Sequence, residues 1–299
     1  MTAKIIAFAN QKGGVGKTTL AVQFAFYLRS RKNKKVLVVD MDKQANSTSN
    51  LLGFHLDEET QVPVANEPIE GATTMFDLFH KELKEFKPTP TKSGIDLICG
   101  RTDISQVFNE VLADGKDMTI QTASVFFPRK HLRAAGCFEK YDYILIDCQP
   151  QLAAGLIGPM IAADYVVSPL KIDAFGLAGV KDMWATMDKL KTSWNLSYIK
   201  LGLVLNDFDN SGIQRGIVKQ MTLDPDIGGY LFDTIISHRS PIVKATSDCM
   251  PIWMVPQAKA STKELFDFFK EIEDRISLSE QGKFDAYIAS RTEALQEGE

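Results

Sequence analysis

A glycine-rich loop between an apolar run and a helical pattern constrains this chain more than any other feature of its sequence. The loop, QKGGVGKTT, occupies residues 11–19. Glycines let backbone N–H groups converge on an anion without obstruction from a Cβ atom, and the positive dipole end of a helix that begins near Lys17 points at the same place. The sequence therefore predicts a phosphate-binding loop that follows a β-strand and opens an α-helix.

The expected nucleotide-binding residues of this loop are Gly13, Gly14, Val15, Gly16, Lys17, Thr18 and Thr19. Lys17 would neutralise charge on the β- and γ-phosphates, the Thr18 hydroxyl would bind Mg²⁺, and Thr19 would contact the α-phosphate. The loop thus predicts a nucleotide with Mg²⁺ as the ligand.

Short β-branched runs alternate along the chain with stretches that have the periodicity of helices. The runs occupy residues 5–9, 36–40, 143–147, 165–169 and 201–205, and clear helical stretches occupy residues 18–29 and 179–192. Continuous apolar strands that alternate with helices are typical of a parallel sheet covered on both faces. We therefore expect an α/β fold with a doubly wound, mainly parallel sheet and helices on both faces.

Length and composition indicate one large domain, because 299 residues with 44% hydrophobic content can bury a core without disulfides or metals. We assign residues 1–278 to this domain. Residues 54–91 are expected to form an irregular, insertion-like loop with one short helix. Residues 279–299 are expected to form an acidic, weakly amphipathic C-terminal tail.

Charge and composition exclude several classes of protein. The net charge of -4 gives no general attraction to nucleic acid or anionic membranes, so any DNA contact requires a local basic patch. The four cysteines form none of the close pairs of zinc or redox motifs. No apolar stretch approaches the roughly 20 residues of a membrane-spanning helix, and the N-terminal run does not resemble a signal peptide. A cytoplasmic location is therefore expected.

The loop differs from the ordinary phosphate-loop pattern, because Gln11 stands in place of the first glycine and Lys12 is an additional lysine. It resembles the deviant Walker A class, whose members include the ParA and MinD ATPases, the nitrogenase iron protein and arsenical-pump ATPases. The resemblance implies binding of ATP or ADP with Mg²⁺. It also implies that Lys12 reaches across a nucleotide-sandwich dimer to the partner's phosphates, much as an arginine finger does.

Two acidic strand ends extend this resemblance. Residues 36–46, VLVVDMDKQAN, resemble the family's segment VLLIDLDPQGN, which implies that Asp42 orients or activates the attacking water and that Asp40 supports it and the metal shell. Residues 141–150, YDYILIDCQP, resemble the strand YDYIIIDTPP, which implies that Asp147 holds Mg²⁺ through water. A single such carboxylate could simply cap the next helix. Two of them in this order behind a phosphate loop favour a magnesium site.

The two switch segments also depart from the family pattern. Lys43 and Ala45 replace a proline and a glycine in the first, and Cys148 and Gln149 replace a threonine and a proline in the second. These departures affect how each switch would respond to the γ-phosphate. They also keep open a non-enzymatic reading, an adaptor that uses the nucleotide only to lock its dimer.

Further segments resemble ParA. Residues 163–179 are similar to the ParA segment ADxVLIPVQPEYFALEG, with Lys171 in place of a glutamine. Asn206 ends a strand that resembles one whose terminal asparagine, in many relatives, contacts the edge of the adenine base. An ordinary asparagine turn is an equal alternative. Pro256 stands where relatives place a residue beside the base. We include Asn206 and Pro256 among the nucleotide-binding candidates.

The ParA resemblance implies an ATPase switch for plasmid or chromosome segregation that forms a homodimer with ATP, binds DNA without sequence preference and responds to a ParB-like centromere-binding activator. The candidate DNA-binding residues are Arg215, Lys219, Arg239 and Lys244. Relatives have DNA-contacting arginines where this chain has Ser211 and Pro241, and solvated surface charge is the alternative. Binding to DNA would associate the protein with the nucleoid.

A MinD-like positioning ATPase that acts on a membrane or a protein cargo is the rival interpretation. Membrane cycling needs a basic amphipathic C-terminal helix, whereas this tail is acidic, with five acids and two bases from residue 280 onward. We therefore expect no membrane partner. The iron-protein alternative needs cysteines that bridge a dimer with a cluster, and no glycine-flanked pair is evident.

Overall fold

The computed structural model describes residues 2–83, 85–100, 124–150, 154–172, 176–193 and 195–297. Residues 173–175, which belong to the ParA-like segment, and residues 298–299 of the tail lie outside the described residues.

Most strands of the described chain join one large sheet. The strands are β1 (Lys4–Phe8), β2 (Val36–Met41), β3 (Phe54–Leu56), β4 (Pro63–Ala65), β5 (Thr89–Pro90), β6 (Asp96–Ile98), β7 (Tyr143–Cys148), β8 (Tyr165–Leu170) and β9 (Ile199–Leu205). The large sheet has the order β5-β6-β2-β7-β1-β8-β9, and only the β5–β6 pair is antiparallel among its neighbours. β3 and β4 form a separate antiparallel ribbon. The predicted doubly wound, mainly parallel sheet is confirmed.

Helices cover the sheet. They are α1 (Lys17–Arg31), α2 (Asn46–Leu52), α3 (Phe127–Leu132), α4 (Ala135–Phe138), α5 (Ala154–Ala162), α6 (Gly176–Ser193), α7 (Gly212–Thr222), α8 (Ser240–Ser247), α9 (Lys259–Glu280) and α10 (Phe284–Glu297). Side chains alternate between the two faces of a strand, so Ile5 and Ala7 belong to one buried cluster and Ile6 and Phe8 to the other. Among the described residues, no helix combines the length and apolarity that a membrane span requires.

The register of the central strands positions the acidic residues. β7 lies between β1 and β2, and Asp147 is the partner of both Phe8 and Asp40. Because all three strands run parallel, the loops that follow β1 and β2 leave the sheet on either side of Asp147. This edge is where ligands bind in open α/β sheets.

Two segments outside the central pattern have structure of their own. Residues 54–91 contain the β3–β4 ribbon, a 3₁₀ turn (Asp77–Phe79) and the edge strand β5. The tail forms α10, in which Phe284 and Ile288 are buried in the core. Arg291 of this helix donates hydrogen bonds to the carbonyls of Gly229 and Leu231 at 3.2 and 2.9 Å. The amphipathic face of the tail therefore packs against the domain.

A glycine in β9 provides a test of the packing between the sheet and α9. Gly202 has φ +150°, and a Cβ there would lie 2.3 Å from both Arg275 Nη1 and the Tyr230 carbonyl oxygen. Arg275 is buried and hydrogen-bonds that carbonyl, so Gly202→Ala should lower the free energy of unfolding by more than about 2 kcal/mol. Urea denaturation measures the change. The control is Gly216→Ala, whose Cβ would meet nothing within 4 Å, and it should stabilise α7 by up to about 1 kcal/mol. If the Gly202→Ala variant were as stable as the parent, the expectation would be wrong.

Candidate nucleotide-binding site

The loop between β1 and α1 is shaped by two left-handed glycines. Gly14 has φ +71° and Gly16 has φ +96°, and α1 begins directly after them at Lys17. A Cβ on Gly13 or Gly14 would have no protein atom within 4 Å, so the packing of the chain itself does not explain these glycines. The loop forms an open cradle at the positive end of α1, as an anion site requires.

The two lysines of the loop have different surroundings. Lys17 is 6% exposed, and its Nζ donates a hydrogen bond to the Lys12 carbonyl at 3.0 Å. Burial lowers the pKa of Lys17, while the nearby Asp147 carboxylate opposes this shift. The Lys12 side chain is exposed, as a residue that contacts a second chain must be. Its role across a dimer stays a prediction.

Asp147 lies fully buried near the end of β7, and its Oδ2 accepts two hydrogen bonds. Thr18 Oγ1 and Ser47 Oγ donate to Asp147 Oδ2 at 2.7 and 2.8 Å. The second oxygen, Oδ1, is buried and has no hydrogen-bond partner among the described residues. A carboxylate oxygen left over beside a threonine hydroxyl suits Mg²⁺ that is held through water. The residues present therefore fit the ion that the sequence predicts.

Asp40 is also fully buried, but both of its oxygens are engaged within the chain. The amide and hydroxyl of Thr48 donate to Asp40 Oδ2 at 2.7 and 2.8 Å, and the amide of Asp42 donates to Oδ1 at 3.1 Å. Asp40 thus orders the segment that carries Asp42. Its expected part in the metal shell and in catalysis stays a prediction.

Asp42 lies close enough to the phosphate loop to act electrostatically on Lys17 and Asp147. It is 8% exposed, and its Oδ1 accepts a hydrogen bond from the amide of Gln44 at 3.0 Å. The structure therefore brings Lys17, Asp42 and Asp147 together. Sequence reasoning missed Ser47 and Thr48 in α2. The signal that could have indicated them was the run of hydroxyl residues at positions 47–49, which follows Asp42.

A cavity of about 300 Å³ adjoins the phosphate loop. Its lining includes Gly14, Gly16 and Thr19 of the loop, Asn206 after β9, and Ile242 and Val243 of α8. Asn206 Nδ2 donates to the Val15 carbonyl at 2.9 Å, which ties the end of β9 to the loop. Pro256 is exposed and is not among the described residues that line this cavity. Its expected contact with the base stays a prediction.

The predicted DNA-binding residues do not share one environment. Arg215 and Lys219 are exposed on α7. Arg239 forms an ion pair with Glu264 at 3.0 Å, and Lys244 forms one with Asp248 within α8 and its C-cap at 2.9 Å. Neighbouring carboxylates thus offset two of the four positive charges. DNA contact by these residues stays a prediction.

The two positions at which relatives carry DNA-contacting arginines start helices in this chain. The Ser211 side chain caps α7 by accepting a hydrogen bond from the amide of Gln214. Pro241 lies in the first turn of α8, where a missing N–H is tolerated. Both residues are therefore explained by local helix chemistry.

Comparison with known proteins agrees with this geometry. A family model described as AAA domain matches residues 3–200. The chromosome-partitioning ATPase Soj of Thermus thermophilus is 30% identical over 242 residues, which cover 81% of this chain and 84% of Soj. The ATP complex of McdA from Cyanothece aligns with a TM-score of 0.69 and 20% identity over 91% of this chain and 96% of that chain. A plasmid partition protein of Borrelia burgdorferi B31 bound to AMPPNP aligns with a TM-score of 0.65 and 22% identity, over 90% and 99% of the two chains.

The buried carboxyl pair predicts that stability falls as the pH rises. Burial raises the pKa of Asp40 and of Asp147 above the ordinary 3.8, and Asp147 raises that of Asp40 further. The folded state therefore keeps protons that the unfolded state has released. The free energy of unfolding of the nucleotide-free protein should fall by at least about 1 kcal/mol from about pH 5 to about pH 8. Urea titrations at each pH would show this, and Asp40→Asn should flatten the slope; an unchanged slope in the variant would count against the pair.

Ala45 predicts strain in the first switch segment. It replaces the family's glycine and has φ +51° and ψ +36°, the left-handed region that disfavours a Cβ. Ala45→Gly should raise the free energy of unfolding by about 1 kcal/mol. The control Ala260→Gly, at an exposed position in α9, should lower it by a similar amount. Denaturant unfolding compares the two; a loss of stability in both variants would exclude strain at Ala45.

Proposed function

Since this chain belongs to the ParA-type partition ATPases of the AAA-domain family, we propose that it is an ATP-dependent, dimerising switch for DNA segregation. The ATP-bound dimer would bind DNA without sequence preference. A ParB-like centromere-binding activator would stimulate the hydrolysis of ATP to ADP and phosphate. The protein would act in the cytoplasm, and DNA binding would associate it with the nucleoid.

One observation carries the ATPase proposal: Asp147 Oδ1, for which the described residues supply no hydrogen-bond partner, is buried beside the Thr18 hydroxyl, next to the glycine cradle and Lys17. Mg²⁺ bound there would neutralise phosphate charge. Lys17 would hold the β- and γ-phosphates, Thr18 and Asp147 would hold the ion, and Asp42 would orient the attacking water. These roles need no rearrangement of the sheet, because the three strand ends already meet.

The exposure of Lys12 supports a dimer in which this lysine completes the partner's site. A site that lacks one charged group in the monomer turns over slowly until closure assembles it. Hydrolysis would therefore follow dimerisation and would accelerate when a partner improves the geometry. This order makes the chain a timed switch.

The MinD-like membrane alternative is disfavoured by the C-terminal helix. Phe284 and Ile288, the apolar side chains that a membrane helix would expose, are buried in the core. Asp233 pairs with Arg291 at 2.9 Å, which engages one of the two bases of the tail. The adaptor alternative, with negligible turnover, differs from the ATPase only in the rate of phosphate release.

Three substitutions separate the roles of the site. Lys17→Ala should abolish nucleotide binding or hydrolysis. Lys12→Ala should spare most of the binding but lower turnover at least about 100-fold, because a trans-acting cation is lost. Asp42→Ala should bind ATP and accumulate the closed dimer. Phosphate release and gel-filtration mass with ADP and with ATP measure these effects.

The control for these variants is Lys35→Ala, an exposed lysine that precedes β2 at the opposite edge of the sheet. It should leave binding, dimerisation and turnover unchanged. Dimerisation and turnover that survive in Lys12→Ala would refute the trans-lysine role. ATP binding without phosphate release in the parent, with DNA present, would favour the adaptor.

DNA binding is tested by adding duplex DNA to the same gel-filtration experiment. The ATP form should bind DNA more tightly than the ADP form, and the affinity should fall steeply with salt because lysines and arginines displace counterions. The double variant Arg215→Ala with Lys219→Ala should weaken binding and reduce the salt slope by about two. Unchanged binding in this variant would place the DNA surface elsewhere.

A further inference from the structure

The β3–β4 ribbon holds large apolar side chains in solvent. Phe54 is 49% exposed, Leu56 56%, Val62 56% and Val64 41%. Phe54 and Leu56 also line the cavity beside the ribbon, and large exposed apolar patches often mark sites of interaction. We call these four side chains and the cavity beside them the ribbon surface.

The ribbon exposes its apolar side chains on both faces. Phe54 pairs with Ala65, and His55 pairs with Val64, so Phe54 and Leu56 project from the face opposite to Val64. The described residues add no third strand to the ribbon. A two-stranded ribbon is only marginally stable in water by itself. A partner that covers it would therefore gain apolar contact and order the ribbon.

A cavity of about 740 Å³ opens beside the ribbon and is large enough to receive several side chains. Its apolar lining includes Phe26, Leu51, Leu52, Pro251 and Met254. Met254 is 65% exposed at this site. Flexible methionines suit surfaces that adapt to a partner.

Helix α2 connects the ribbon surface to the nucleotide site. Hydroxyl groups in its first turn hold the buried carboxylates of Asp147 and Asp40. Leu51 and Leu52 at its other end line the cavity. Cys249, just beyond the C-cap of α8, also lines the cavity and donates a weak hydrogen bond to α2 at 3.5 Å. A segment bound in the cavity would therefore contact α2, the helix that also holds the acidic residues beside the phosphate loop.

The negative charge of the ribbon surface favours a basic partner. Residues 54–70 carry five acids and no lysine or arginine; the acids are Asp57, Glu58, Glu59, Glu67 and Glu70. The cavity lining adds one lysine, Lys92, and one acid, Asp248, which pairs with Lys244. Such a surface repels the phosphates of nucleic acid and attracts lysines and arginines.

We propose that the ribbon surface is the docking site for a basic, amphipathic segment of a regulatory protein, and that docking changes the rate of hydrolysis through α2. This inference rests on the proposed ATPase function for its regulatory part only. Apolar side chains of the segment enter the cavity and cover the ribbon, while its lysines and arginines pair with the acids of residues 54–70.

The probe is a synthetic peptide of about 16 residues that places leucines on one helical face and lysines on the other, with one photoreactive side chain among the leucines. Two controls have the same composition with a scrambled order, and glutamates in place of the lysines. Fluorescence anisotropy measures binding, mass spectrometry maps the cross-links, and phosphate release measures the rate. Cross-links should fall within residues 51–64 and near Met254, and ATP turnover should rise several-fold.

Variants of the chain test the surface directly. Phe54→Ser combined with Leu56→Ser should weaken peptide binding at least about tenfold, whereas Ile213→Ser, which is 79% exposed on α7, should not. Glu58→Lys with Glu59→Lys should also weaken it, and Glu293→Lys on α10 should not. Equal affinity of the ribbon variants and their controls, or cross-links that map elsewhere, would overturn the docking site.

The outcomes also separate this inference from the proposed function. If ATP binds and is hydrolysed but the peptide does not bind the ribbon surface, the docking site is wrong and the proposed function is unaffected. If cross-links map to the ribbon and turnover does not change, the regulatory part is wrong. Loss of the ATP dimer in Leu56→Ser would show that a second copy of this chain occupies the surface and would refute the regulatory partner.

Discussion

The buried carboxylate of Asp147 is the interaction on which the site depends. One of its oxygens holds the first turn of α1 through Thr18 and the first turn of α2 through Ser47, at 2.7 and 2.8 Å. A single charge therefore joins the phosphate loop to the first switch segment. Its other oxygen has no partner in the described part of the chain, in a setting where an orphaned polar atom is destabilising. Mg²⁺ bound beside the Thr18 hydroxyl would satisfy that oxygen.

The parallel sheet makes this arrangement possible. β7 lies between β1 and β2, so three successive strand ends converge on one edge and the segments after them must pass each other closely. Asp40 contributes by fixing the start of α2 through Thr48, whose hydroxyl also accepts a hydrogen bond from the amide of Gly100 at 2.8 Å. The chain just after β6 is thereby tied to the same network. The order of the strands in the sheet thus determines which residues meet at the candidate nucleotide site.

Some elements were predictable from local pattern and others were not. The runs that became β1, β2, β7, β8 and β9 are long and β-branched, so their signal survives without tertiary information. β5 and β6 are two and three residues long, too short to show alternation, and exist because neighbouring strands supply their hydrogen bonds. The β3–β4 ribbon was missed for the same reason. Residues 54–91 read as irregular because their order comes from turns and pairing partners, not from periodicity.

The sequence by itself determined the phosphate loop, the acidic strand ends and the doubly wound class, because glycine conformation, helix dipoles and strand alternation act over a few residues. Only the tertiary structure decided that the oxygens of Asp40 are engaged by Thr48 and Asp42. It also decided that Ile242 and Val243 of α8 line the cavity beside the phosphate loop. Other contacts join residues that are far apart in the sequence, such as Ser49 and Cys249, which are separated by 200 positions, and local chemistry cannot specify which distant groups will meet.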